Sequence, residues 1–363
     1  MGTITRTLIV GLTDKMVQAR LNSVDAKPFL FGTYFPVTKV NGFTWRTLTD
    51  QLAHRNVAAD IHTDNGTVLR KRRPIFESAI GDMPYISISR DLKRSEIKEY
   101  QTALALATDQ SAAALVKYWG NDVDFCFTGV QAELEYIAWK LFSNAGKLAF
   151  TTTTNATFAN EFDLDYDVYD EEKLTADSDW TKPSSADILG DLRTLIFKAK
   201  ALGMNPKFAF VNLNQLYRIC SSEQIIKACA SYISNAVGMS QTPDLAAVNA
   251  MLLKQAWLNK LQLRVIDTEV TREFQDGTSW YGNPFDDNRI ILTETERLGS
   301  TQYDLLQEQN DNIIRVERSH TVVKKYSEVE PLKEVTIGEA DAVPVFDTAY
   351  RSLYVKTDKS DWE

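Results

Sequence analysis

Cysteine and histidine are both scarce: the 363-residue chain has three of each. Cys126, Cys220 and Cys229 are odd in number and contain no Cys-x-x-Cys, which argues against a disulfide framework and a zinc ribbon. Small, reduced, buried thiols of a cytosolic protein are the expectation. Of the histidines, His54 and His62 fall in a segment that reads as a projecting hairpin, a poor place to hold an acid–base group rigidly, and His320 stands alone. The chain has no G-x-x-x-x-G-K-[ST], G-x-S-x-G, H-E-x-x-H or G-x-G-x-x-G. No enzyme activity, cofactor or metal site is predicted. Long apolar runs are missing too. Nothing approaches the roughly 20 residues of a membrane helix, and the run at residues 8–10 is too short for the core of a cleaved export signal.

A basic excess is also lacking. The net charge of −9 disfavours a protein that grips nucleic acid. It does not exclude a protein that encloses DNA without gripping it, since a mildly acidic wall repels phosphates and lets them slide. What is present is ordinary: 44% hydrophobic and 25% charged residues, enough for a globular core. The length allows one large domain or two to three smaller ones.

Residues 1–38 read as an arm, with a short helix over residues 15–21. Pro28, Gly32 and Pro36 then forbid a long regular element. Such a segment has little core of its own and is either mobile or ordered on a neighbour. Residues 39–88 read as extended. They centre on Asn65-Gly66, a strong hairpin signal because both residues tolerate positive φ. A lone hairpin is marginal in water, so this one is expected to pack on another subunit.

Ser95 reads as an N-cap, with Glu96 and Glu99 in the first turn. That helix is expected to run to Trp119 and to break at Gly120-Asn121-Asp122. The clearest periodicity in the chain follows in residues 123–147. Phe127, Val130, Leu134, Ile137 and Leu141 step by three and four and define one apolar stripe, with Gln131, Glu133, Glu135 and Lys140 off it. Gly146 is the expected C′ residue. Downstream, strands and helices alternate through residues 147–300, and extended segments dominate to the end.

Two charged clusters are candidate contact sites. Residues 161–179 carry nine acidic residues and one lysine, and read as a solvated loop ending at Trp180. Within it, Asp163, Asp165 and Asp167 have the spacing that opens an EF-hand loop. Val168 and Leu174 stand where that loop needs glycine and glutamate, so a complete calcium site is not expected. Arg70-Lys71-Arg72-Arg73 is the densest basic run. It reads either as a charged strand edge that blocks aggregation or as a set of contacts to carboxylates of a neighbouring subunit, with Asp163, Asp165, Asp167, Glu171 and Glu172 as partners. No interleaved aromatics accompany it, which places nucleic-acid contact third.

Several residues carry a family resemblance. Arg90-Asp91-Leu92 leads into a helix, and Asp122 opens a long helix that holds Glu133 and Glu135 and ends at Gly146. Trp180 precedes a proline and a helix ending in Gly203-Met204-Asn205-Pro206-Lys207, followed by an apolar strand and Asn212. Val265-Ile266-Asp267, Gly299, Pro331 and Ala342-Val343-Pro344-Val345 complete the series. In this order the chain resembles the major capsid proteins of tailed bacteriophages with the HK-97-like fold, and is most similar to the lambda-like major capsid protein E group.

The resemblance implies an α+β fold with an N-arm (1–38), an E-loop (39–88) and the first part of a P-domain (89–183) with its spine helix at 123–146. An A-domain (184–300) follows, then the rest of the P-domain with a C-terminal tail (301–363). It implies hexamers and pentamers of an icosahedral shell around double-stranded DNA, in the virion capsid and, during assembly, in the host cytoplasm. A portal protein, a scaffolding protein and a decoration protein are the implied partners. Some relatives crosslink through lysine and asparagine, and no such pair can be placed here. An encapsulin-type cargo shell, another virion protein and an α+β enzyme are the alternative readings.

Overall fold

A computed structural model describes residues 4–26, 29–50, 76–106, 112–150, 162–233, 242–274 and 277–362. Its contacts divide the chain into two units, each built from three separated stretches. Residues 1–45, 81–137 and 300–345 form the first, and residues 46–80, 138–299 and 346–363 the second.

The first unit is a seven-stranded sheet with helices. Its central strand, Leu332–Val345, pairs antiparallel with Thr321–Val329 on one edge and with Tyr85–Lys93 on the other. An added Cβ at Gly338 of this strand would overlap the backbone carbonyl of Cys126. Strand and helix therefore meet at a distance only glycine permits.

That helix is Ala112–Ser143, 32 residues long, and two expectations fail on it. Gly120-Asn121-Asp122 does not break it. The stripe extends backward through Trp119 and Val123, both buried. Packing of that face outweighs the roughly 1 kcal/mol that a helical glycine costs. Nor is its later part amphipathic, since no residue from 122 to 143 is exposed. The stripe residues Phe127, Val130, Leu134, Ile137 and Leu141 are buried as expected, but so are Gln131 and Glu135. Each buried polar group is spent on a hydrogen bond. Gln131 Nε2 donates to Thr321 Oγ1 at 2.9 Å, and Glu135 accepts the backbone N–H groups of Leu30 and Phe31 at 3.1 and 2.7 Å. The preceding helix, Arg94–Leu106, starts before Ser95. Glu96 reaches back to the N–H of Lys93 at 2.8 Å, so Lys93 and not Ser95 marks the cap.

The arm is corrected as well. Asp14–Ser23 is a helix, as the sequence predicts, but it lies on its own chain. Its Val17 and Leu21 are fully buried with Ile9, Leu12, Tyr100, Trp119, Val123, Phe127 and three valines and isoleucines of the sheet. Arg20 Nε donates to Asp124 Oδ1 at 2.8 Å, and Arg318 donates to the carbonyls of Leu21 and Val24 at 2.9 and 2.7 Å.

The strands Thr44–Asp50 and Phe76–Asp82 form a separate two-stranded sheet at the ends of the expected hairpin. Asn65 and Gly66 at its expected tip, and Arg70, Lys71, Arg72 and Arg73, lie outside the described residues.

The second unit centres on a five-stranded mixed sheet in the order Gln262–Ile266, Phe208–Asn212, Arg289–Thr293, Ser352–Lys356, Lys173–Thr175. The outer pairs are parallel and the inner ones antiparallel. The helices Ile188–Ala201, Leu213–Ser221, Glu223–Ile233 and Leu245–Lys254 bury their apolar residues with this sheet. Three of them carry side-chain caps that the sequence places well. Asp187 accepts the N–H of Gly190 at 3.0 Å, Asn212 that of Gln215 at 2.8 Å, and Asp244 that of Ala247 at 2.8 Å.

The expected boundaries do not survive the strand order. Residues 346–363 belong with the second unit because Ser352–Lys356 pairs in the interior of its sheet. Residues 138–183 belong there because Lys173–Thr175 forms its edge.

Candidate functional site

The acidic segment is more ordered than a solvated loop. Phe162–Asp165 is a strand paired with Lys147–Phe150, and the alternation it sets continues past its end. Leu164, Tyr166 and Val168 are buried, whereas Asp163, Asp165 and Asp167 are exposed. The spacing that suggests the opening of a calcium loop is thus an outer face, with alternate residues turned out along the strand and through Asp167, whose φ of 49° is left-handed. The carboxylates do not converge. Asp165 pairs with Lys147 at 3.1 Å and accepts the backbone N–H of Asp167 at 2.8 Å. The alternating apolar residues were the signal that identifies this face.

Glu171 is exposed, but Glu172 is 4% exposed and unavailable to another subunit. Burial pushes its carboxyl up to about 9, with Glu171 adding and Lys173 opposing. It is therefore a neutral acid at pH 7. The rest of the segment closes on a residue that sequence reasoning missed. Asp191 Oδ2 accepts from Ser178 N, Ser178 Oγ and the indole of Trp180 at 3.1, 2.5 and 2.7 Å. Trp180 is fully buried as a result.

An open groove of about 780 Å³ runs along the helix Ile188–Ala201, beside Asp177, Asp187, Asp191, Arg193 and Phe197. Two of its acids are already committed, Asp187 to a helix cap and Asp191 to the loop.

A second polar group lies in the first unit, where no periodicity in the residues marks it. Lys325 and Glu334 are both fully buried, 3.6 Å apart. Burial lowers the Lys325 ammonium, opposed by Glu334 and Asp122. Burial raises the Asp122 carboxyl, opposed by Lys325 and Arg90. Lys325 points inward because Val323, Lys325 and Ser327 share the buried face of their strand.

The sequence matches no family model and no curated protein. Solved structures match along nearly the whole chain. One is a phage-related protein of Bordetella bronchiseptica RB50, with 12% identity, 97% of this chain and 99% of that one covered, and a TM-score of 0.52. Another is the putative capsid protein of a prophage of Escherichia coli CFT073, with 12% identity, 95% and 99% coverage, and a TM-score of 0.55. The class of fold is thereby defined: this is an HK-97-like capsid fold, as the resemblance implied. At this identity the likeness carries the fold and does not extend to the lambda-like group.

Proposed function

We propose that this chain is a major capsid protein, the structural subunit of an icosahedral shell around double-stranded DNA. One observation carries the reading: the fold matches a prophage capsid protein over 95% of this chain and 99% of that one. The work of such a subunit is multivalent association. Each contact is weak enough to be corrected, and many must break together once the shell is closed.

In this reading the first unit corresponds to the P-domain with the long helix as spine, and the core of the second unit to the A-domain. The strands Thr44–Asp50 and Phe76–Asp82 are the base of an E-loop whose Arg70-Lys71-Arg72-Arg73 run meets a neighbour. Exposed Asp163, Asp167 and Glu171 are its candidate partners, Asp165 being paired with Lys147 and Glu172 withdrawn by burial. Hexamers and pentamers are the expected intermediates. A portal, a scaffolding protein and a decoration protein are the expected partners, and no cofactor is required.

Sedimentation and negative-stain microscopy of the purified protein test the reading. Closed hollow particles, or hexamers and pentamers, are expected. A monodisperse monomer that stays so with a scaffolding partner present overturns it. Particles that enclose a protein cargo in place of DNA favour an encapsulin-type shell. Charge reversal at Arg70–Arg73 tests the contact separately: a soluble subunit with impaired assembly is expected, and normal particles refute that contact alone.

A further inference from the structure

The first described residues of the chain close over the buried ion pair. Lys325 Nζ faces Glu334 Oε1 at 3.6 Å and donates to Thr336 Oγ1 at 2.9 Å. The same Glu334 carboxylate also turns toward the chain start. Its Oε1 accepts the Thr7 hydroxyl at 2.6 Å and its Oε2 the Leu8 backbone N–H at 2.9 Å. Two residues earlier, Ile4–Thr5 adds a short strand to the edge of Thr321–Val329, opposite Glu328 and Ser327. There the Thr5 and Ser327 hydroxyls lie 2.6 Å apart, and Ser327 Oγ donates to the Thr5 carbonyl at 2.9 Å. Asp122, Cys126 and Tyr100 are the other titratable groups near the pair, with Arg90 and Glu96 beyond Asp122.

We propose that Glu334, Ser327 and this strand edge form a binding site for an extended peptide, and that residues 4–8 of the same chain are its detachable occupant. The ligand it selects presents a hydroxyl at one residue and a free backbone N–H at the next, which one carboxylate accepts together. The Lys325–Glu334 pair spans two strands of the ladder and takes no residue from the strap, which preorganises the site.

The strap is held lightly. Its strand is two residues long, Ile4, Thr5 and Arg6 are exposed, and the contacts of Arg6, to Asp14 at 2.6 Å and to the Asp311 carbonyl at 3.2 Å, lie at the surface. From Ile9 on the anchoring is of another order, with Ile9, Leu12, Val17 and Leu21 in the core. A segment with few buried apolar contacts opens at lower free energy than the sheet it lies on. Its departure bares the edge of Thr321–Val329 at Ser327 and Glu328, where a second extended chain is able to pair. The inference does not depend on the shell reading.

Hydrogen exchange on the full-length chain, resolved by residue, tests it. The Leu8 amide is expected to be protected relative to an unstructured peptide, yet to exchange at least tenfold faster than the amides of the Thr321–Val329 and Leu332–Val345 ladder. Thr7→Val removes the strap's own hydroxyl and leaves the buried pair intact. It should speed Leu8 several-fold further and leave the ladder unchanged. Exchange of Leu8 at the ladder's rate means the segment leaves only when the whole unit unfolds, and overturns the proposal. Exchange at the unstructured rate means the site is empty, and also overturns it. So does a Thr7→Val effect that spreads equally to the ladder. Glu334→Gln serves as the second variant if it folds, with the same expected pattern.

Discussion

Glu135 accepts the backbone N–H of Phe31 at 2.7 Å, which ties the long helix to the short turn at residues 31–34. The carboxylate is fully buried and also accepts from Leu30, so it serves as a distant cap for two amides with no partner in their own turn. Glu135→Ala strands both donors and should cost about 2–4 kcal/mol, since each buried unsatisfied group costs roughly 1–3 kcal/mol. Glu135→Gln keeps one acceptor oxygen and should cost less. Urea unfolding checks both. Equal and small losses in the two variants would show that the contact carries no stability.

Gly338→Ala should be more damaging than any Gly→Ala change made for propensity alone. The new methyl group meets a backbone carbonyl, that of Cys126, and not the tip of a mobile side chain. Either strand or helix has to move. We expect a loss of about 3 kcal/mol or more, in the range of severe overpacking. Thermal melting of the soluble variant measures it, and a Tm within a degree or two of wild type would contradict the close approach.

Glu172 makes stability depend on pH in a direction unusual for a carboxylate. Its folded-state value, about 9, lies above the ordinary 4.5. Between those two values the folded chain therefore holds more protons than the unfolded one. Stability falls as pH rises across that window and levels off above it. Glu172→Gln should flatten this slope and gain on the order of 3 kcal/mol at pH 8. A variant that follows the wild-type pH curve throughout would show that Glu172 is not held neutral.

His320 works the other way. Burial pushes its imidazole down to about 4, with Arg318 adding. Gln131 Nε2 lies 3.1 Å from its Nε2, and a neutral ring accepts that amide proton where an imidazolium cannot. Between about 4 and the ordinary 6.5 the unfolded chain binds more protons. This contribution is thus complete above pH 6.5 and is lost as pH falls toward 4. Acid unfolding of His320→Asn should lack this component, worth about 3 kcal/mol at most. An unchanged acid midpoint would remove His320 from the account.

Much of this was readable in the residues, and the failures have physical causes. The stripe through Leu134 and Leu141 identified a buried helix because apolar spacing reports a single face directly. The same residues said nothing of the helix's other sides. Gln131 and Glu135 look like solvent-facing positions until their partners, far off in sequence, are known. Gly120 does not end the helix because local propensity is weaker than the packing of Trp119 and Val123 on either side of it. Asp163, Asp165 and Asp167 were legible in principle, had Leu164, Tyr166 and Val168 been weighed with them. The Lys325–Glu334 pair was not legible: nothing local marks a lysine whose neutralising partner sits across a strand pair.

The place of Ser352–Lys356 has a consequence for synthesis. This strand, with all five positions buried, lies between Arg289–Thr293 and Lys173–Thr175. The ribosome therefore makes it after every other strand of that sheet. Until residue 356 is free of the exit tunnel, the edges of Arg289–Thr293 and Lys173–Thr175 that it joins stay open. Any product truncated before residue 352 is left with both of these edges exposed, in a form that the cell's proteases recognise.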